Sequence, residues 1–136
     1  MVTYTADAPL DLVTLSSAVD RYFTSFNAAD YRAVADLFGV DGVMLAPFEA
    51  PIVGSEAIYT YLQAEAIAMQ ATPVAVETIP SDSGIQQVVV KGRVKTLLFS
   101  VNVRWIFDLT AVDTLQSVEI KLLASLQELM QFDRGK

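Results

Sequence analysis

An α+β domain, with a curved antiparallel sheet wrapped around a long N-terminal helix, is predicted by three features of the sequence. The first is Gln86–Leu109, which alternates with period two across two consecutive strands. Val101, Val103, Trp105, Phe107 and Leu109 share one face of the second strand, opposite Asn102, Arg104 and Asp108. Val88, Val90, Val94 and Leu98 share one face of the first, opposite Gln87, Lys91, Arg93 and Lys95. Such alternation marks a sheet with one dry and one wet side. The second feature is a stripe of Leu15, Val19, Tyr22, Phe23 and Phe26 at helical spacing, which gives the dry face something to cover. The third is the order of elements: helices first, then a run of strands, which favours segregated layers over alternating ones.

Taken in order, residues 1–11 are expected to form a flexible arm, and residues 12–136 a single domain. The first helix is predicted over Leu12–Ala28, and Asp30 suits the N-cap of a short second helix, Tyr31–Phe38, with Gly39 closing it. Asp41-Gly42 is predicted as a turn before a short strand, Val43–Phe48, bounded by Pro47 and Pro51. A third helix is predicted from Ser55, its cap, to about Gln70, with Glu56 in the favourable first turn. Its stripe is Ile58, Tyr61, Leu62, Ala66 and Met69, and Glu65 falls inside that stripe. Strands over Thr72–Ile79, the Gln86–Leu109 pair meeting near Phe99–Asn102, and Leu115–Leu123 complete a four-strand antiparallel meander. Pro80–Gly84 is read as a turn. Ser125-Leu-Gln-Glu128 is a capping box for a last short helix, Leu126–Phe132.

Composition excludes more chemistry than any motif supplies. The chain of 136 residues has no cysteine and no histidine, which removes disulfides, thiol chemistry, the commonest general base and the commonest metal ligand. A net charge of −7 argues against nucleic acid as a partner. No apolar run approaches the roughly 18 residues that span a bilayer, and the N-terminus lacks the build of a signal peptide, so a soluble cytoplasmic protein is expected. The hydrophobic fraction of 53% is high for such a protein and points to a ligand or partner that covers apolar surface.

Tyr22 and Trp105 each carry one polar atom at the centre of an apolar stripe. Either both are core aromatics satisfied by backbone or water, or their donors converge on one acceptor of an otherwise apolar ligand. Glu65 is either a carboxylate reaching solvent, a desolvated general base, or a rim carboxylate that meets an arginine of a partner. By strand parity the inner face carries no ionisable group. A base would therefore act alone, which makes an enzyme the weaker reading. Lys91, Arg93 and Lys95 alternate on the wet face and are given no role.

YFTSFNAADY (22–31), LFGVDGVMLAPFEAPIVGSE (37–56), KGRVKTLLF (91–99), NVRWIFDL (102–109) and IKLLASLQELMQF (120–132) together resemble the C-terminal domain of the cyanobacterial orange carotenoid protein and its free-standing homologs. The resemblance runs from about Val19 to Arg134, and Pro47–Gly54 is its most specific part. It implies a nuclear-transport-factor-2-like cone that binds a ketocarotenoid such as canthaxanthin or echinenone. The ring carbonyl would be held by Tyr22 and Trp105, with Phe26, Met44, Pro47, Leu98, Phe99 and Val103 around it. Glu65 falls on the family glutamate that pairs with an arginine of the helical N-terminal carotenoid domain, which favours the rim role. The connection between the two long strands is shorter than in the family, with Leu98 in place of an aromatic wall. Lys121 stands where the last strand usually has an aspartate, and Ala66 where some members carry a cysteine.

A globular chain of this length has a radius of gyration of roughly 14 Å, so one domain encloses only part of a carotenoid. The expectation is a soluble protein that holds and transfers a ketocarotenoid in photoprotection, by singlet-oxygen quenching and delivery to a partner domain. It would be a homodimer when pigmented, and would touch membranes transiently during pigment uptake without stable insertion. The alternatives are an isomerase- or dehydratase-like enzyme with Glu65 as base, and a ligand-free dimerisation or regulatory module.

Overall fold

A computed structural model describes residues 17–79 and 86–123. The N-terminal arm, the turn over 80–84 and the terminal helix over 126–132 lie outside the described residues, as does the first helix before Ser17. Within them the order is α1 (Ser17–Asn27), α2 (Tyr31–Asp36), β1 (Phe38–Leu45), β2 (Ile52–Val53), α3 (Ser55–Glu65), β3 (Gln70–Ile79), β4 (Gln86–Lys95), β5 (Ser100–Leu109) and β6 (Leu115–Leu123).

The six strands form one sheet in the order β2-β1-β6-β5-β4-β3. The expected meander is present: β3–β4, β4–β5 and β5–β6 all pair antiparallel. The sheet is not antiparallel throughout, because β1 joins β6 in parallel. Val88, Val90 and Val94 of β4, Val103, Trp105, Phe107 and Leu109 of β5, and Leu115 and Val118 of β6 are buried on its inner face. Against that face lies α1, with Val19, Tyr22, Phe23 and Phe26 buried at helical spacing. Four aromatics lock the two layers: Phe23 meets Trp105 edge-on at 4.8 Å between ring centres, and Tyr22 meets Phe107 at 5.1 Å. Edge-to-face rings of this kind add about 0.5–1.5 kcal/mol beyond the area they bury.

Long-range contacts tie α1 to the β5–β6 connection and set the approach of β3. The backbone N–H of Ala18 donates to Asp113 Oδ2 at 3.0 Å. Asp113 is held in the β5–β6 connection with a left-handed φ of 62°. Gly92 allows β3 to fold over β4, since a Cβ there would stand 2.2 Å from the Thr72 carbonyl oxygen. That close approach coincides with a shift of register between Pro73 and Ala75.

Several expected boundaries move. The second helix stops at Asp36 rather than Phe38, because Phe38 pairs with Leu115 and begins β1. Asp41-Gly42 is accordingly an irregularity inside β1 and not a turn before it, and Gly39 does not close a helix. The cap of α3 is Gly54, with φ 92°, in place of Ser55, and no side chain caps the helix. A short strand, β2, precedes it and pairs with Val43 and Met44. The third helix ends at Glu65, and Ala68 at φ 62° turns the chain so that Gln70 already begins β3. Asp30 does cap α2, its Oδ1 accepting from the Ala33 N–H at 3.2 Å. Glu56 lies in the first turn of α3, as expected from the helix dipole.

Candidate functional site

Between α1, α3 and the inner face of the sheet lies a cavity of about 240 Å³. Tyr22 and Phe26 of α1 form its base together with Trp105 and Val103 of β5. Met44, Ala46 and Pro47, at the end of β1 and just beyond, close one side. From α3 and the turn after it come Tyr61, Leu62, Glu65, Ala66 and Met69. The wall towards the β4–β5 hairpin is Val94, Thr96, Phe99 and Val101, and Ile120 and Leu122 of β6 complete it. The strands supply this wall because every second side chain faces inward, so Val103 and Trp105 are neighbours along one strand while Ile120 sits beside Trp105 in register.

Eight of the nine residues expected at the site line this one cavity: Tyr22, Phe26, Met44, Pro47, Glu65, Phe99, Val103 and Trp105. Leu98 does not. The hairpin turns at Thr96–Phe99, earlier than Phe99–Asn102, since Lys95 pairs with Ser100 and Arg93 with Asn102. Strand parity therefore ends at Lys95, and Leu98 points out of the tip with 88% of its surface exposed. Phe99 takes the place on the wall expected of Leu98. Tyr61, Leu62, Ala66 and Met69 are lining residues whose signal was the apolar stripe of the third helix. Ala46 had no comparable signal, standing beyond the end of a short strand.

Polar character is sparse and sits in two places. Deep in the cavity, Tyr22 and Trp105 are 1% and 3% exposed. Among the described residues neither the Tyr22 hydroxyl nor the Trp105 indole N–H makes a hydrogen bond. Burial, and next the nearby Tyr61, push the Tyr22 phenol well above its ordinary range, so at neutral pH it is a neutral O–H donor. Tyr61 is raised too, first by burial and then by the carboxylates of Glu49 and Glu65. At the mouth, Glu65 is exposed to solvent. Its carboxylate is therefore solvated rather than desolvated. No group of residues suited to a metal occurs among the described residues.

The site thus offers an apolar cleft, two donors at its inner end without a partner among the described residues, and one acidic group at its rim.

No protein-family model matches the chain. It is 33% identical over 123 residues, 88% of its length, to an orange carotenoid-binding protein of Synechocystis sp., of which it spans only 39%. Among solved structures it is similar to the orange carotenoid protein of Anabaena (Nostoc) sp. binding canthaxanthin, with a TM-score of 0.80 and 32% identity. That superposition takes in 96% of this chain and 45% of the other. A nuclear-transport-factor-2-like protein of Cytophaga hutchinsonii has the same fold, with a TM-score of 0.63 at 9% identity over 91% of this chain and 98% of its own.

Proposed function

The chain is a homologue of the C-terminal domain of the orange carotenoid proteins, built on the nuclear-transport-factor-2-like fold, and on that premise we propose that it holds one end of a ketocarotenoid in its cavity. The observation that carries this reading is the pair of buried donors, Tyr22 and Trp105, which have no partner among the described residues, at the inner end of an otherwise apolar cleft. Two donors on one carbonyl oxygen fix the orientation of a ligand that offers little else to bond, each contributing about 1 kcal/mol net. Phe26, Met44, Pro47, Phe99 and Val103 supply apolar contact along the ring and the first part of the polyene. A carotenoid supplies visible absorption and singlet-oxygen quenching. The canthaxanthin of the Anabaena protein supports the ligand class.

Size then calls for a partner. A cavity of about 240 Å³ is small beside the roughly 300–1,000 Å³ of sites that enclose a drug-sized molecule. The second half of a carotenoid held at Tyr22 leaves through the mouth and remains an exposed hydrophobe until protein covers it. A second copy of this chain, or a helical carotenoid-carrying domain, would do so, with Glu65 at the rim placed to pair with an arginine of the latter. The role that follows is holding and handing on pigment in a soluble, cytoplasmic setting, in the service of photoprotection. No helix among the described residues is long and apolar enough to cross a membrane.

Purification from cells that make ketocarotenoid tests the reading: the protein is expected to emerge coloured, and a colourless product under ample pigment supply would sink it. The enzyme alternative, with Glu65 as base, separates in the same preparation. Glu65→Gln is expected to weaken pairing with the helical domain while the chain still takes up pigment.

A further inference from the structure

Five side chains of the cavity wall carry an oxygen or a nitrogen: Tyr22, Tyr61, Glu65, Thr96 and Trp105. Four of them are accounted for. Tyr22 and Trp105 are the donors of the inner end, and Glu65 is the exposed acid of the rim. The Thr96 hydroxyl is engaged within its own hairpin. It accepts from the N–H groups of Leu98 and Phe99 at 3.2 and 3.1 Å and donates to the Phe99 carbonyl at 3.0 Å. Tyr61 remains.

It is half-buried on α3, packed against the core, and shares a side of the helix with Glu65 one turn further on. Of the four tyrosines among the described residues, Tyr31 donates to the Ala66 carbonyl at 2.8 Å and Tyr59 accepts from the Gln63 amide at 2.8 Å. Tyr22 and Tyr61 make no hydrogen bond there. Tyr61 also stands between the two polar ends of the site. Burial, then the carboxylates of Glu49 and Glu65, push its phenol up, and Tyr22 in turn feels Tyr61. A wall that faced only hydrocarbon would be served by phenylalanine, which covers nearly the same area with no polar atom to desolvate.

The oxygen that Tyr61 meets is not the one held at the inner end. A carbonyl oxygen has two lone pairs, and Tyr22 and Trp105 supply a donor for each. The carboxylates at the rim draw the Tyr61 proton towards themselves, which leaves a lone pair of the phenol oxygen to the cavity. A donor on the ligand complements it. Resting on the ketocarotenoid reading, we propose that Tyr61 is a second recognition point, which selects a ring bearing a hydroxyl on the carbon beside its ketone. The ketone is held at the inner end and the neighbouring ligand O–H donates to the Tyr61 oxygen. Two points of attachment fix which way the ring lies, which one oxygen does not. A plain keto ring binds as well, with the half-buried Tyr61 hydroxyl left to water, so the selection is graded: one hydrogen bond of this kind gives a preference of about fivefold.

Competition between two pigments tests this. Pigment-free protein is offered an equimolar excess of canthaxanthin, which has ketones alone, and astaxanthin, which has a hydroxyl beside each ketone, and the bound pigment is extracted and separated by chromatography. The parent protein is expected to be enriched about fivefold in astaxanthin. Tyr61→Phe, which keeps the ring, is expected to bring the ratio close to one while canthaxanthin is still taken up, with circular dichroism as the check on its fold. Equal uptake of the two pigments by the parent would overturn the proposal and leave the ketocarotenoid reading standing. An enrichment that Tyr61→Phe leaves unchanged would overturn it too, since the selection would then lie elsewhere in the wall. A protein that takes up neither pigment would overturn the ketocarotenoid reading and this proposal with it.

Discussion

Asn27, the last residue of α1, is joined to Ala71 near the start of β3 by two hydrogen bonds: its Nδ2 donates to the Ala71 carbonyl at 2.8 Å, and its Oδ1 accepts from the Ala71 N–H at 2.7 Å. Among the described residues β3 is the edge of the sheet, so these backbone groups have no neighbouring strand there to pair with, and the amide acts as one. The link holds the end of the helix that carries Tyr22 and Phe26 against the strand opposite. Asn27→Ala leaves both Ala71 groups without a partner in a half-buried place and is expected to lower stability by about 1–3 kcal/mol. Asn27→Asp keeps the acceptor, loses the donor and sets a carboxylate against a carbonyl, and is expected to be no better. Urea unfolding of the three proteins checks both.

Gly92 permits the close packing of β3 on β4, where a Cβ would fall 2.2 Å from the Thr72 oxygen and 3.0 Å from Pro73 Cα, both backbone atoms that cannot swing aside. Gly92→Ala is expected to cost about 1–3 kcal/mol, by thermal or urea unfolding, although alanine is otherwise the more favourable residue in a strand. A neutral result would mean that β3 shifts freely.

The raised Tyr22 phenol predicts a specific response to alkali. Its folded value lies above the ordinary 10.0 because burial penalises the phenolate. The stability it contributes is fully present below pH 10, and is lost as pH rises from there towards the folded value, since only the unfolded chain ionises. Melting temperatures taken from pH 8 to 12 are expected to fall less steeply for Tyr22→Phe than for the parent. Parallel curves would contradict the burial of an unpaired phenol.

Acid acts on a different pair. Arg32 grips Glu56 through both guanidinium nitrogens, at 2.6 and 3.3 Å, and lies 3.9 Å over the ring of Tyr59. The hydrogen bond to Arg32 holds the Glu56 carboxyl below its ordinary 4.5. Its contribution is therefore present above pH 4.5 and disappears as pH falls through the lower folded value. Both groups are exposed, so the effect is small and screened by salt. Glu56→Gln is expected to lower the melting temperature slightly above pH 5 at low ionic strength, and the two curves are expected to converge as pH falls through the folded value.

Much of this structure was legible in the sequence where one period governs a long stretch. From Val88 to Val94 and from Val101 to Leu109, alternation identified the buried face and put Trp105 at its centre. The stripe of α1 did the same for Tyr22. Legibility ended where tertiary pairing overrides a local signal. Asp41-Gly42 carries turn chemistry, yet Phe38 and Val43 on either side both pair with β6, so the turn became an irregularity within a strand. Leu98 continues the parity of β4 on paper, but the hydroxyl of Thr96 closes the hairpin first and turns it outward. Glu65, inside an apolar stripe, is not core, because α3 ends there and leaves it exposed. The turn after α3 depends on the left-handed Ala68, for which the residue type gives no warning.

The central claim is that Tyr22 and Trp105 together hold a ketocarotenoid carbonyl, and the visible absorption spectrum tests it most directly. Hydrogen bonding to that oxygen polarises the conjugated chain, so its colour reports on both donors. With canthaxanthin supplied in excess, Tyr22→Phe combined with Trp105→Phe keeps both rings and removes both donors. The predicted result is a displaced or absent visible band relative to the parent protein, in a chain whose circular dichroism is unchanged. A parent and double variant with the same band would contradict the claim.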